Sequence, residues 1–281
     1  MSGMLYLCAT PIGNLGDITL RVLETLSQVD LIAAEDTRNS IKLLNHFQIK
    51  VPMTSYHEYN KIEKANELIA KMKDGLTIAL ITDAGTPAIS DPGEVLVSMC
   101  YEAGIKVTSL PGPAACITAL TLSGLSTRRF CFEGFLPSDK KERRTILDEL
   151  VSESRTIILY EAPHHLVRTL QDIYVVLGNR KITLCREITK KYETVLPTTL
   201  EDALVRYEQE DPRGEYVIVI EGVSLDDKKK KKMDSWQEMS IEQHMAFYEN
   251  DGIDHKEAMK QVAKDRGISK REVYQYLVKN S

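Results

Sequence analysis

The sequence predicts an α/β fold of two domains, followed by a small helical module. Strand and helix signals alternate through residue 222, a pattern typical of sheets covered by helices. A polar stretch with five consecutive lysines then predicts a linker at residues 225–238. The remaining residues show helical periodicity interrupted by a glycine turn. We therefore expect α/β domains at residues 1–114 and 115–224 and a helix-turn-helix-like module at residues 239–281.

The elements of the two domains follow from the period of their apolar residues. In the first domain, strands are expected at residues 4–9, 31–34, 76–82 and 106–110. Its helices are expected at residues 19–27, 40–47, 61–73 and, after the third of these strands, up to residue 103. In the second domain, strands are expected at residues 130–132, 156–160, 182–185 and 216–220, and helices at residues 140–153, 164–177 and 200–208. In the first domain, the alternation of apolar strands with helices favours a mostly parallel sheet buried on both faces.

The terminal module carries signals for helix starts and for a turn. Two serine pairs fit the capping box that begins a helix, Ser240 with Gln243 and Ser269 with Glu272. A helical apolar stripe at residues 256–266 is followed by Gly267, which is typical of a helix end. Lys270 and Arg271 then lie on the second helix of a helix-turn-helix pattern. They are candidates for contact with nucleic acid, and the alternative is that they are solvated surface charges.

Three loops that follow strands of the first domain are unusual. We refer to residues 10–17 as the first loop, residues 82–93 as the second loop and residues 110–115 as the third loop. The second loop has two glycines, two prolines and two aspartates within twelve residues, which restricts its backbone sharply. Loops at the carboxyl ends of buried strands bind ligands in open α/β sheets. Because proline removes backbone donors and glycine allows close approach, we expect these loops to bind a flat, mostly neutral group such as a nucleoside. A triphosphate fits less well, since no Gly-Lys-Ser/Thr sequence follows the loops.

The composition is that of an ordinary soluble protein. Of 281 residues, 43% are apolar and 27% are charged, and no apolar run approaches the roughly 18 residues that cross a bilayer. Without a signal-peptide pattern, and with five scattered cysteines, we expect a cytoplasmic protein that lacks a metal site. The net charge of −5 divides into −6 for residues 1–224 and +1 for the rest. A basic end on an acidic body is a weak signal for nucleic acid.

Several motifs occur in one order along the chain. They are residues 10–19 (TPIGNLGDIT), 34–38 (AEDTR), 82–93 (TDAGTPAISDPG), 110–113 (LPGP), 160–164 (YEAPH) and 186–190 (REITK). Together they resemble the bacterial ribosomal RNA small-subunit cytidine 2′-O-methyltransferases, of the tetrapyrrole-methylase class of S-adenosylmethionine enzymes. The resemblance covers about residues 4–224. It implies a cofactor cleft between the two α/β domains, a homodimer, and a decoding-centre cytidine of 16S rRNA in the 30S subunit as substrate.

The resemblance also implies which residues contact S-adenosylmethionine. They come from all three loops and from the second domain: Pro11, Ala84, Gly85, Thr86, Ile89, Ala114, Ala115, Glu161 and Gly222. Two positions depart from the family pattern. Ala115 stands where serine is more frequent, which removes a hydroxyl contact, and His165 stands where arginine is common.

Methyl transfer to a ribose hydroxyl requires alignment of oxygen, carbon and sulfur, and removal of the hydroxyl proton. The candidates for the proton acceptor are carboxylates, or a lysine with a lowered pKa, at the cleft: Asp83, Asp91, Glu187 and Lys190. The alternative for the two aspartates is structural, as helix caps or loop supports.

Candidates for substrate contact lie in the first domain. Asp36 and Arg38 are expected either to orient a substrate phosphate or to form an ion pair. Tyr56 and His57 are further candidates for substrate contact. Tyr56 and Tyr59 could stack against a splayed base, and the alternative is that both are aromatic residues of the core and rim of the first domain.

Three other functions compete with this interpretation. Glu35 and Asp36 lie at the distance from the first loop that a dinucleotide-binding enzyme requires, but residues 11–16 do not match Gly-x-Gly-x-x-Gly. A methyltransferase of the same class acting on a tetrapyrrole or a protein side chain is the second alternative. The third is a helix-turn-helix regulator with an α/β sensing domain. The adjacent His164 and His165 point in different directions on a helix, so they do not form a metal-binding pair.

Overall fold

The fold was analysed in a computed structural model, which describes residues 3–224, 236 and 239–279. The chain divides into an α/β unit, residues 1–150 with 155–221, and a helical unit, residues 151–154 with 222–281. The linker expected at residues 225–238 lies, apart from Trp236, outside the described residues. Among the helices of the described residues, none is both long and apolar enough to span a bilayer.

The first sheet of the α/β unit has five parallel strands in the order β3-β2-β4-β1-β5. They are β1 (Met4–Cys8), β2 (Leu31–Ala34), β3 (Met53–Ser55), β4 (Ile78–Ile81) and β5 (Lys106–Leu110). The helices between them are α1 (Leu20–Gln28), α2 (Thr37–His46), α3 (Lys61–Lys73) and α4 (Glu94–Glu102). Alternate residues of β2 pack into different cores, Leu31 and Ala33 on one face and Ile32 and Ala34 on the other. The sheet is therefore parallel and buried on both faces, as its apolar strands predict.

Because β1, β4 and β5 are parallel, their three following loops meet at one edge of the first sheet. Hydrogen bonds join these loops. Thr10 N donates to Gly85 O at 2.9 Å and Gly85 N donates to Thr10 O at 3.0 Å, which connects the first loop to the second. Thr86 Oγ1 donates to Pro113 O at 2.9 Å, which connects the second loop to the third. The three loops thus form one continuous surface.

The second sheet is mixed, with the order β6-β7-β10-β8-β9. Its strands are β6 (Phe130–Phe135), β7 (Thr156–Glu161), β8 (Lys181–Arg186), β9 (Thr194–Thr199) and β10 (Tyr216–Ile220). The helices of this half are α5 (Ala115–Leu122), α6 (Lys140–Leu150), α7 (Pro163–Leu177) and α8 (Leu200–Tyr207). Only β6 and β7 pair in parallel, and β10 runs antiparallel to both β7 and β8. Tyr216, at the start of β10, therefore pairs with Glu161 and Arg186 at the ends of those strands.

The sequence patterns do not reveal two strands, β3 and β9. Both lie at an edge of their sheet. Pro52 immediately precedes β3, and Pro197 lies within β9. Proline has no backbone N–H to donate, and this is tolerated in β9 because one side of an edge strand is unpaired. Both strands are only half-buried and lack the apolar run by which the central strands are recognised.

The helical unit contains α9 (Ile241–Asn250), α10 (His255–Arg266) and α11 (Lys270–Lys279). Ser240 and Gln243 form the expected capping box at the start of α9. Ser269 and Glu272 exchange the same two hydrogen bonds before α11. Gly267 ends α10 in the left-handed region, with φ of 65°. The buried residues that hold these helices together are Ile241, Met245, Ala258, Met259, Val262, Ala263 and Val273.

Candidate active site

A cavity of about 310 Å³ lies where the three loops of the first sheet face the second sheet. We call it the central cavity. From the first half of the α/β unit it is lined by Ile12, Glu35, Asp83, Ala84, Gly85, Thr86, Ile89, Ser90, Asp91, Ala114 and Ala115. From the second half it is lined by Phe135, Tyr160, Glu161, Ala162, Glu187, Ile188, Lys190, Glu215, Tyr216 and Val217.

The wall from the first sheet is formed largely by loop backbone and small side chains. Gly85 has φ of 84°, a conformation that residues with a Cβ rarely adopt. A Cβ there would lie 3.4 Å from Ile12 Cγ2, in ordinary contact, so it is the backbone rather than crowding that favours glycine. Ala88 also has a positive φ, of 65°, which costs about 1–2 kcal/mol for a residue with a side chain. The second loop is thus held in a shape that its local preferences disfavour, as is common at functional sites.

Three carboxyl groups face one another beside this wall. Asp83 N donates to Glu35 Oε2 at 3.3 Å, and Asn39 Nδ2 donates to Asp83 Oδ2 at 2.9 Å. Burial, followed by repulsion from Glu35 and Asp83, raises the pKa of Asp91 to about 6. Burial also raises the pKa of Glu35 above its usual value. Asp91 therefore has a pKa close to neutrality and is suited to accept a proton.

The wall from the second sheet carries a network of charged side chains. Lys190 Nζ donates to Glu187 Oε1 at 2.9 Å and to Glu215 Oε2 at 2.8 Å. Glu187 Oε1 also accepts from Glu215 N at 3.0 Å. Although burial favours the neutral amine, the hydrogen bonds from Lys190 to Glu215 and Glu187 raise the pKa of this lysine above its usual value. The expectation of a lysine with a lowered pKa is wrong here, because two carboxylates stabilise the ammonium form.

Glu187 is held ionised by the same network. Burial alone would raise its pKa, but the backbone amide of Glu215 and the ammonium group of Lys190 lower it overall. The aliphatic part of Lys190 lies against the first loop, since a Cβ on Gly13 would come within 2.3 Å of Lys190 Cγ. Lys190 thus connects the two halves of the α/β unit.

Glu161 is a buried carboxylate at the end of β7. Its Oε1 accepts from Ala162 N at 2.8 Å, and its Oε2 accepts a short hydrogen bond from Thr169 Oγ1 on α7. Thr169 Oγ1 in turn accepts from Arg143 Nη2 at 2.7 Å. Two helices outside the sheet therefore hold a carboxylate that faces the central cavity.

The structure brings most of the expected site residues to the central cavity. Asp83, Asp91, Glu187 and Lys190 all line it, together with Ala84, Gly85, Thr86, Ile89, Ala114, Ala115 and Glu161. Pro11 is outside this lining, and its neighbour Ile12 lies there instead. The family resemblance implies that Gly222, near the end of β10, contacts the cofactor. Because β10 is antiparallel, its Tyr216 end lines the cavity, and Ile220, which leads to Gly222, pairs with Ile157 near the far end of β7.

The four candidates for substrate contact in the first domain have different environments. Asp36 caps α2, and its carboxylate pairs with Arg38 at 2.7 Å, so the structure contains the ion-pair alternative. The hydrogen bond from the Arg38 side chain lowers the pKa of Asp36 to about 2. Tyr56 is fully buried in the core of the first sheet, so it is not available to stack on a base. His57, next to it, is half-buried.

Several residues that line the cavity were not expected from the sequence. Glu215 and Tyr216 were missed because the direction of β10 cannot be read from its apolar run. Phe135 was missed because β6 continues beyond the irregularity between Phe132 and Gly134. Phe135 is 58% exposed, which is a signal visible only in the structure.

The described residues contain no group of three or more His, Cys, Asp or Glu side chains that could hold a metal ion. Lys270 and Arg271 lie at the start of α11 in the helical unit, the first half-buried and the second exposed. Their role in binding nucleic acid stays a prediction.

Comparison with protein families and curated proteins gives a consistent result. Residues 4–204 match the family model of tetrapyrrole (corrin/porphyrin) methylases. The chain is 48% identical over 272 residues to ribosomal RNA small subunit methyltransferase I of Halalkalibacterium halodurans, covering 97% of this chain and 93% of that protein. It is 47% identical to the protein of the same name from Synechocystis sp., covering 97% and 96%. The protein of that name from Thermotoga maritima is 43% identical over 220 residues, covering 78% of this chain and 99% of its own.

Solved structures share the fold at lower sequence identity. Diphthine synthase superposes with a TM-score of 0.60 at 14% identity, over 78% of this chain and 90% of its own. Uroporphyrin-III-C-methyltransferase from Thermus thermophilus superposes with a TM-score of 0.55 at 18% identity, over 77% and 94%. At these identities the likeness establishes the α/β architecture only.

Proposed function

This chain belongs to the tetrapyrrole methylase family and is a methyltransferase of small-subunit ribosomal RNA, and we propose that it methylates a cytidine ribose. The acceptor in this proposal is the 2′-hydroxyl of a cytidine in the decoding centre of 16S rRNA. The observation that supports it best is Asp91, a carboxyl group in the second loop with a pKa of about 6. A hydroxyl is a poor nucleophile until it loses its proton, whereas a ring nitrogen with a free lone pair needs no such acceptor.

S-adenosylmethionine is the methyl donor of this family, and the central cavity suits it. Six carboxylate residues line the cavity against one lysine: Glu35, Asp83, Asp91, Glu161, Glu187 and Glu215 against Lys190. Such a lining favours a ligand with cationic sulfonium and amino groups. Ile12, Ile89, Ala114 and Ala115 would hold the apolar face of the adenosine, and Gly85 allows its close approach to the backbone. When bound, S-adenosylmethionine supplies an electrophilic methyl carbon.

In the proposed mechanism, Asp91 removes the proton of the attacking hydroxyl. Its raised pKa makes it a stronger base than an ordinary aspartate while leaving it mostly ionised at neutral pH. The hydrogen bonds between the first and second loops hold the site in one geometry before the substrate binds. This fixed geometry matters because correct alignment of the reacting atoms supplies much of the acceleration in a displacement reaction.

The other candidates suit the role of proton acceptor less well. Lys190 is held as an ammonium ion, and Glu187 is held ionised with a lowered pKa, which weakens it as a base. Asp83 is exposed and accepts a hydrogen bond from Asn39. We propose structural roles for the Lys190 network and a supporting electrostatic role for Asp83.

The remaining expectations are part of the same proposal. We propose that the enzyme acts in the cytoplasm on the assembled 30S subunit, and that it does so as a homodimer. The basic residues of α11, among them Lys270 and Arg271, are proposed to contact RNA.

The direct test is transfer of labelled methyl groups from S-adenosylmethionine to 30S subunits that lack the modification. Nuclease digestion and mass spectrometry then identify the methylated nucleotide. We expect label on the ribose of a decoding-centre cytidine. Label on a nucleobase would contradict the 2′-O assignment, and cofactor binding without label on any RNA would contradict the RNA substrate. In the second case, tetrapyrroles and protein side chains are the acceptors to test next.

A further inference from the structure

Another cavity, of about 510 Å³, lies between α6 and α7 on the surface of the α/β unit. We call it the α6–α7 groove. Its charged lining consists of Lys140, Arg143, Arg144 and Arg168, with Asp172 as the acidic side chain among the described residues that line it. None of these residues lines the central cavity.

The charge of the groove is opposite to that of the surrounding protein. Four basic side chains and one acidic side chain line it, whereas residues 1–224 carry a net charge of −6. A concave surface lined by one sign of charge concentrates its field and attracts ligands of the opposite sign. The charge of the lining therefore favours an anion over a cation as ligand.

One of the four basic residues already has a structural function. The Arg143 side chain is only 9% exposed, and its Nε lies 2.7 Å from Asp172 Oδ2. Its Nη2 donates to Thr169 Oγ1 at 2.7 Å. Arg143 and Asp172 thus neutralise each other and form the wall of the groove.

The other three basic residues are available to a ligand. Arg168 is 52% exposed and lies 3.9 Å from Asp172, at the limit of an ion pair. Arg144 pairs with Asp148 one turn along α6, and both side chains are more than half exposed. Lys140 is exposed and has no ion pair among the described residues. Exposed pairs of this kind contribute about 1 kcal/mol or less, so a stronger anion displaces them readily.

The arrangement of these cations fits a chain of phosphates better than one isolated anion. Lys140 and Arg144 are four residues apart on α6, which sets their Cβ atoms about 5–6 Å apart on one face of the helix. Arg168 stands opposite them on α7. Leu147, Val175 and Val176 add an aliphatic surface against which a ribose or base can pack. Guanidinium groups bind phosphate oxygens through paired hydrogen bonds.

We propose that the α6–α7 groove binds the phosphodiester backbone of the ribosomal RNA substrate, at a site separate from the central cavity. This inference rests on the proposed function, which supplies the polyanion. The groove is also connected to the central cavity, because Arg143 donates to Thr169 and Thr169 donates to Glu161. RNA bound here lies against the helices that hold a carboxylate of the donor site.

The test replaces the three available cations together, as Lys140→Gln, Arg144→Gln and Arg168→Gln. Affinity for a labelled 16S rRNA fragment that contains the target cytidine is measured at several salt concentrations, by fluorescence anisotropy. We expect a loss of at least 10-fold in RNA affinity. We also expect the slope of log K against log salt to become shallower by about 0.7 for each lost phosphate contact. Affinity for S-adenosylmethionine should stay within twofold of wild type.

The matched control is Arg206→Gln on α8. Arg206 forms the same type of exposed pair as Arg144, with Glu210 four residues later at 3.0 Å. We expect this variant to keep both the RNA affinity and the salt slope. Cofactor affinity and the melting temperature of the triple variant report whether it is folded, so a loss of RNA binding is attributed to the groove only when both are retained.

Two outcomes would overturn the proposal. The first is a folded triple variant that binds RNA with unchanged affinity and slope, and the second is a wild-type protein that does not bind the RNA fragment. Failure of the proposed function would give a different result. The wild type would bind RNA, the triple variant would bind it more weakly, and yet neither would methylate a cytidine ribose.

Discussion

The two walls of the central cavity are built by different means. The wall from the first sheet consists of loop backbone, with Gly85 at a positive φ and small side chains such as Ala84 and Ala114. The wall from the second sheet consists of long side chains, with Lys190 between Glu187 and Glu215. A main-chain surface that depends on a glycine at positive φ is sensitive to a Cβ added there, whereas an ion-pair network tolerates changes of side chain that keep its charges balanced. The two walls should therefore respond differently to substitution.

The largest effect is expected at Asp91, which lies on the wall from the first sheet and accepts the proton of the substrate hydroxyl in the proposed mechanism. Asp91→Asn removes the proton acceptor and keeps the shape of the side chain. We expect methyl transfer to fall by about 10²–10⁴-fold. Affinity for S-adenosylmethionine, measured by isothermal titration calorimetry, should change by only a few fold. A variant with near wild-type turnover would show that Asp91 has a structural function only.

The pH profile of the wild type tests the assignment of Asp91 as the proton acceptor in a second way. Since the pKa of Asp91 is raised to about 6, the base is ionised above that pH and protonated below it. We expect kcat/KM to decline as the pH falls through about 6, with a slope of one proton. Asp83→Asn, which removes one of the neighbouring charges that raise the pKa of Asp91, should shift this decline to lower pH. A profile that is flat between pH 5 and 8 would contradict the role of Asp91.

The next largest effect is expected on the backbone wall. Gly85→Ala forces a side chain into a left-handed conformation, which costs about 1–2 kcal/mol. We expect cofactor affinity to fall by about 10-fold, because relief of this strain moves the second loop. Ala84→Ser, at an adjacent position without the positive φ, is the control and should bind nearly as wild type. Equal affinities for the two variants would show that the loop backbone does not form the donor site.

The smallest effect is expected on the side-chain wall. Lys190→Gln removes the charge shared by Glu187 and Glu215, and these partly exposed pairs contribute about 1 kcal/mol or less. We expect a small loss of stability in urea unfolding at pH 7 and a modest loss of cofactor affinity. Lys190→Arg should retain most of both. If Lys190→Gln abolished methyl transfer while preserving cofactor affinity, the lysine would have a catalytic role that its ion pairs do not suggest.

These comparisons also indicate how far the sequence determines the site. Strong apolar runs predict the central strands, and parallel strands then bring the three loops, with Asp83 and Asp91, to one edge. The assignment of Gly85 to the cofactor comes from the family resemblance instead. The contribution of the second sheet is harder to predict. The apolar run of β10 gives no direction, and Glu215 meets Lys190 across 25 residues through antiparallel pairing. The raised pKa of Lys190 likewise depends in part on Glu215, a partner that only the tertiary fold supplies.

The small and edge elements show a second limit. β3 and β9 were missed because their stability comes from one neighbouring strand rather than from their own composition. The helices of the helical unit were found because capping boxes and Gly267 are local signals. Local chemistry is therefore readable from the sequence, while strand direction and long-range ion pairs are not.

The paired hydrogen bonds between Thr10 and Gly85 have an evolutionary consequence. They join the first and second loops so that the two move together, although Thr10 and Gly85 are 75 residues apart in the chain. An insertion on either side of this bridge would displace the partner loop and, with it, the approach of the donor to Gly85. Loop lengths at these two places should therefore change together in descendants of a common ancestor, or not at all.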